Sequence, residues 1–221
     1  MARLYSNRDR SFDLGALPTE LLPRADVEPL AGVRQPGDAV QPGADAVLGA
    51  LPEYRALFDQ HQDGVVAPAR APVPDDLVTR ARNLKASAYF LEATLAGVCE
   101  LGPQDWLQAE HPVHTHAFVF LMEFSREPKP GEPGAEWIRG TNAERTDLRC
   151  AEVAVVMAGY VRALGWSARG HVAGQTQVDL STLAQRAGVA KAVNGELAMP
   201  FSKRGFRIGV VTTDYPLATD L

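Results

Sequence analysis

LRCAEVAVVMAGYVRALGWSARGH, residues 148–171, is the stretch on which the fold turns. Leu148, Ala151, Val155, Ala158, Val161 and Leu164 recur at helical spacing, so the first seventeen residues form a helix with one apolar face. Gly165 stops it, because glycine alone tolerates the left-handed turn that ends a helix without a steric penalty. Trp166 to Val172 then alternates loosely and predicts a strand. Upstream, Asn142 can cap the helix, with Arg145 rather than a glutamate at its third position.

Working outward, HTHAFVFLMEF, residues 114–124, is rich in β-forming and aromatic residues and predicts a buried strand. FRIGVVTT, residues 206–213, is the clearest strand of the chain, and the apolar run 94–101 suits another. Helical spacing appears at 45–61, where Pro52 kinks the helix or starts a second one. It appears again after Pro74, where Asp75 and Asp76 place acids at a helix start that runs to Leu91. Asp179 caps a further helix that Gly188 ends, and Asn194-Gly195 marks a turn. Residues 63–74 read as a linker. Residues 125–142 read as a long Pro/Gly loop, of a length that in a compact domain signals function or disorder. Mixed helices and strands of this order predict an α+β layer structure over 45–221. Residues 1–44, broken by five prolines, predict an extended arm laid over that body.

Bulk properties narrow the function. A net charge of -5 without any basic run argues against a nucleic-acid partner. No run of apolar residues is long enough for a membrane helix, and the N-terminus carries no apolar segment of the kind that marks a secretory signal. A cytoplasmic location is the expectation. Two cysteines, Cys99 and Cys150, are too few to hold one four-cysteine iron–sulfur cluster, and both sit in apolar runs as core residues. No G-x-G-x-x-G pattern marks a nucleotide site.

Three segments in order carry a resemblance: FDLGALPTELLPR in the arm, YVRALGW at 160–166, and TTDYPLATD at 212–220. Together they resemble the cobalamin-dependent reductive dehalogenases, in particular their non-respiratory cytoplasmic branch, and the related epoxyqueuosine reductases. The resemblance implies a nitroreductase-like layered sheet and a corrinoid-handling oxidoreductase lineage. In that family the strand ending like TTDYPL leads into two cysteine-rich cluster motifs, whereas here the sequence ends at Leu221. The expectation is therefore an accessory or vestigial, cofactor-free domain or subunit resembling the family's duplicated N-terminal copy. Such a domain has no iron–sulfur cluster and contacts a catalytic cobalamin/ferredoxin-type polypeptide or a second copy of itself. Two alternatives remain open: a corrinoid-binding carrier reduced by a separate ferredoxin, and a nitroreductase-like flavoprotein.

Candidate site residues follow from chemistry. Tyr215 could donate a proton if a cation such as Lys203 or Arg204 lay beside it, although a packed strand end and a solvated turn explain these residues equally well. Trp137, Arg139, Asn142 and Arg145 combine the anchors that favour a ligand carboxylate or a protein partner. His111, His114 and His116 form an HxxHxH group; on a strand, His114 and His116 would share a face and a metal. The plain alternative is a polar strand entrance, and the resemblance implies a cobalt without a protein ligand.

Overall fold

A computed structural model describes residues 47–132, 135–171 and 173–220. The arm predicted at 1–44 lies outside the described residues. Among the described residues five α-helices are present: α1 (Val47–Asp59), α2 (Leu77–Phe90), α3 (Ala135–Ile138), α4 (Asn142–Ala163) and α5 (Leu180–Arg186). Six strands accompany them: β1 (Leu95–Glu100), β2 (His116–Glu123), β3 (Ala168–His171), β4 (Lys191–Val193), β5 (Glu196–Ala198) and β6 (Phe206–Thr213). Four of them make one antiparallel sheet in the order β1-β2-β6-β3, and β4 and β5 form a separate hairpin.

Strand alternation builds two cores from this one sheet. Phe118, Phe120 and Met122 of β2 join Ala96, Val98 and Val211 under α2 and α4. Ala117, Val119 and Leu121 join Leu95, Cys99 and Val210 under α5 and the residues around the hairpin. α1 packs on α4, outside the first core. Phe118, Phe120 and Leu121 are fully buried, and such side chains stabilise the fold by about 1.5–3 kcal/mol each.

α4 is the organising helix. It contacts β2, β3 and β6, with Ala151, Ala154, Met157, Ala158 and Val161 sealed against them. Its buried stripe is rotated from the predicted one: Cys150, Val153 and Ala154 replace Leu148 and Val155, which are only half-buried. Small residues win because the strands come close; a Cβ on Gly170 of β3 would stand 2.9 Å from the Ala154 backbone. Thr141, not Asn142, occupies the N-cap position. At the other end Gly165 adopts a φ of 91° as predicted, and the supposed linker is bonded there: Ala67 N–H donates to Arg162 C=O and Ala71 N–H to Leu164 C=O, each at 3.0 Å.

Other sequence expectations are refined. Pro52 lies inside a continuous α1, five residues after its start at Val47. Asp76 caps α2 through Val78 and Thr79 N–H, and Asp179 caps α5 through Ser181 and Thr182 N–H. Asn194 and Gly195, both at positive φ, join a hairpin of three-residue strands too short to show in the pattern. The 125–142 loop contains α3.

Beyond β6 the chain crosses back to β1. Asp220 N–H donates to Val98 C=O at 3.0 Å, its Oδ2 accepts from Val98 N–H at 2.7 Å, and its Oδ1 meets Lys85 Nζ at 2.5 Å. On the far side of the sheet, Gly170 N–H donates to Gln62 C=O at 2.8 Å, and the buried Arg162 donates from Nη1 to Ala168 C=O at 2.8 Å.

Candidate functional site

Where β3, β6 and the entrance to β2 meet, four polar side chains form one hydrogen-bonded chain. Strand alternation aims His171 and Thr212 at the face covered by α5. His171 Nε2 lies 2.8 Å from Thr212 Oγ1, and the same oxygen is 2.8 Å from His114 Nδ1. His114 Nε2 continues to Ser167 Oγ at 2.9 Å. At the other end, Gln177 N–H donates to His171 Nδ1 at 3.3 Å.

That backbone donor fixes the protons. His171 Nδ1 accepts, so the proton sits on Nε2 and is donated to Thr212. The threonine hydroxyl then donates to His114 Nδ1, and His114 Nε2–H donates to Ser167. One direction satisfies every group with both imidazoles neutral. Burial agrees: it pushes the His114 pKa down to about 4 and the His171 pKa down to about 3.

Trp106 roofs this chain. Residues 105–107 run beside 177–179, with Leu107 N–H donating to Gln177 C=O and Asp179 N–H to Asp105 C=O. The indole is held 6.3 Å from the His114 ring and 6.1 Å from the His171 ring, and His111 stacks on it at 4.4 Å. Asp105, itself buried, pairs with Arg186 and keeps one unpaired oxygen, Oδ1.

The HxxHxH group is therefore split. His114 N–H donates to Pro112 C=O in a three-residue turn that breaks the strand before His116. His114 consequently turns toward Thr212, while His116 bonds Thr115 Oγ1 at 2.8 Å and faces the Leu217 backbone. The two do not converge on a shared metal, because strand alternation does not extend back to His114. No group of three His, Cys, Asp or Glu side chains that could hold a metal ion exists among the described residues. All four ring nitrogens of the buried His114 and His171 are engaged internally, so neither ring has a free lone pair to offer a metal ion.

The other sequence candidates sit elsewhere. Tyr215 follows β6 and is buried, its ring 4.7 Å from Trp166. Lys203 and Arg204 are exposed and precede β6, so roughly 25 Å of strand, at about 3.3 Å per residue, separates them from Tyr215. The cation beside Tyr215 is instead Arg80, whose Cζ lies 5.3 Å from the ring centroid. Burial nevertheless raises the phenol's pKa, with Arg80 opposing. Trp137, Arg139 and Arg145 are exposed around α3 and the start of α4. Asn142 is buried and holds the loop, donating from Nδ2 to Ser125 C=O at 3.1 Å and to Glu127 Oε1 at 2.8 Å. Cys99 and Cys150 are buried free thiols; burial pushes Cys99 up to about 11 and Cys150 further still.

The comparisons with known proteins fall on one family. The chain is 55% identical, over 99% of its length, to the catabolic reductive dehalogenase NpRdhA, with a TM-score of 0.83. The chain belongs to the reductive dehalogenase family. A second solved structure, reported as suggesting a mechanism for B12-dependent dehalogenation, matches with the same identity and a TM-score of 0.83. A third, NpRdhA in complex with 3-bromo-4-hydroxybenzoic acid, matches with a TM-score of 0.82. The chain spans 31% of the length of these relatives. No protein-family model matches it, and no curated protein does so at a significant level. Among the described residues no helix is long and apolar enough to cross a membrane.

Proposed function

We propose that this chain serves a cobalamin-dependent reductive dehalogenase-type oxidoreductase as a cofactor-free accessory domain or subunit, on a nitroreductase-like layered fold. One observation carries the reading. Cys99 and Cys150 are buried free thiols and too few to hold a four-cysteine cluster, so a redox centre of that kind lies outside these residues, while the ring nitrogens of His114 and His171 are committed to an internal chain roofed by Trp106. The neutral, fully satisfied state of the two histidines makes them a brace between β3, β6 and the entrance to β2.

Contact with a catalytic cobalamin/ferredoxin-type polypeptide then falls to the surface. Trp137, 62% exposed, stands with Ile138 and Arg139 on a loop that Asn142 anchors, and Arg145 follows in the first turns of α4; aromatic and arginine residues of this kind dominate interfaces. The test is to purify the chain from cobalamin-supplied cells and measure cobalt, corrinoid absorbance, flavin and dehalogenation, then its binding to a family polypeptide carrying the cofactors. The reading predicts a colourless, inactive protein that binds that polypeptide, with binding weakened by Trp137→Ala. Stoichiometric cobalt would replace it with the carrier reading, and stoichiometric flavin with the flavoprotein one.

A further inference from the structure

We infer that Arg70, Arg80, Trp166 and Tyr215 form an oxyanion-binding site, made for a carboxylate or phosphate group, on the opposite side of the sheet from the histidine chain. The two arginines come from different elements. Arg70 lies in the segment strapped across the end of α4, and Arg80 lies on α2. Both converge on one indole: their Cζ atoms stand 5.0 and 6.0 Å from the Trp166 ring centroid, so their separation is no larger than those two distances combined. Arg80 also sits over Tyr215.

Among the described residues no carboxylate lies within 4 Å of either guanidinium, whereas Arg55, Arg126, Arg149, Arg169, Arg186, Arg204 and Arg207 each have one. Two like charges this close repel, and the aromatic faces that hold them attract cations without cancelling their charge. A bound anion removes the repulsion.

The platform is pre-organised. Trp166 and Tyr215 are only 5% and 3% exposed and pack on each other, so their rings do not need ordering when a ligand arrives. Arg80 Nε donates to Pro74 C=O at 2.5 Å, which anchors the guanidinium through one of its donors and leaves the others for a ligand. A fork of that kind matches two oxygens of a planar carboxylate or of a phosphate.

The inference is independent of whether the chain binds a corrinoid. Its test is tryptophan fluorescence of the full chain titrated with sodium acetate and, separately, with inorganic phosphate, at ionic strength held constant with sodium chloride. A saturable change is expected with at least one of them. Saturation by acetate alone assigns a carboxylate ligand, and saturation by phosphate a phosphorylated one. Arg70→Gln and Arg80→Gln should each weaken binding at least fivefold, while Arg82→Gln, at an exposed position of α2, should leave it unchanged. Far-UV circular dichroism confirms that each variant is folded. Linear responses to both anions, or saturation that survives both substitutions, would overturn the site.

Discussion

Acid should loosen this protein through two histidines, and the size of the effect can be worked out. In the unfolded chain a histidine takes up its proton near pH 6.5. In the fold His114 waits until about pH 4 and His171 until about pH 3, because burial disfavours the charged form. Between those values the unfolded state binds more protons, so stability is complete above pH 6.5 and is lost as pH falls toward the folded values. At about 1.4 kcal/mol per pH unit per proton, each ring costs about 2 kcal/mol between pH 7 and pH 5. Solvent at the edge of His114 trims its share, leaving roughly 3–4 kcal/mol for the pair. His116, also lowered by burial, adds in the same direction. Asp147 works the other way: burial raises its pKa, so its contribution is present below the usual carboxylate range and lost as pH rises through the raised value. Urea unfolding at pH 7, 6 and 5 measures the slope, and His171→Gln or His114→Gln should each remove about half of it, whatever they cost at pH 7. A stability that is flat from pH 7 to pH 5, or variants that keep the full slope, would refute the reasoning.

Further outcomes are expected from the same geometry. Asp220→Ala should lower unfolding free energy by about 1.5–3 kcal/mol, since it strips charge-assisted bonds from both Val98 N–H and Lys85; denaturant midpoints would show it. Gly209→Ala should cost about 1–3 kcal/mol, because its Cβ would stand 2.1 Å from the buried Phe120 ring, and Phe120→Leu in the same chain should recover part of the loss. Asn142→Ala should free the loop that it ties to Ser125 and Glu127, seen as faster tryptic cleavage after Arg126 and Arg139 with little change in circular dichroism.

Long elements announced themselves because their periodicity reflects what buries them. The alternation of FRIGVVTT survives in β6, one face under α4 and the other under α5, and the Gly165 stop is where the pattern placed it. The three-residue strands β4 and β5 and the one-turn α3 are too short for any period to register. The site was hidden for a different reason. His171 and Thr212 stand 41 residues apart in sequence, and only the β3–β6 register brings them together. Alternation extended back from His116 would put His114 on the same face, whereas the turn at Pro112 aims it at Thr212 instead. A Thr-Thr pair ending one strand and a histidine ending another were the available signal. The arginine pair on Trp166 left no local trace at all, because Arg70, Arg80 and Trp166 come from three separate segments.

The crossing of Asp220 over β1 has a consequence for how this protein can meet others. An open sheet offers hydrogen-bonding groups along its outer strands, an invitation to a foreign strand. Here the outward N–H and C=O of Val98 are already taken by Asp220. On the opposite border, Ala168 C=O is held by Arg162 and Gly170 N–H by Gln62. Neither rim is left vacant at these positions, so a second copy cannot simply zip onto the sheet and propagate a fibre. At these positions an approaching molecule meets side chains and occupied backbone groups, so contact there runs through side chains.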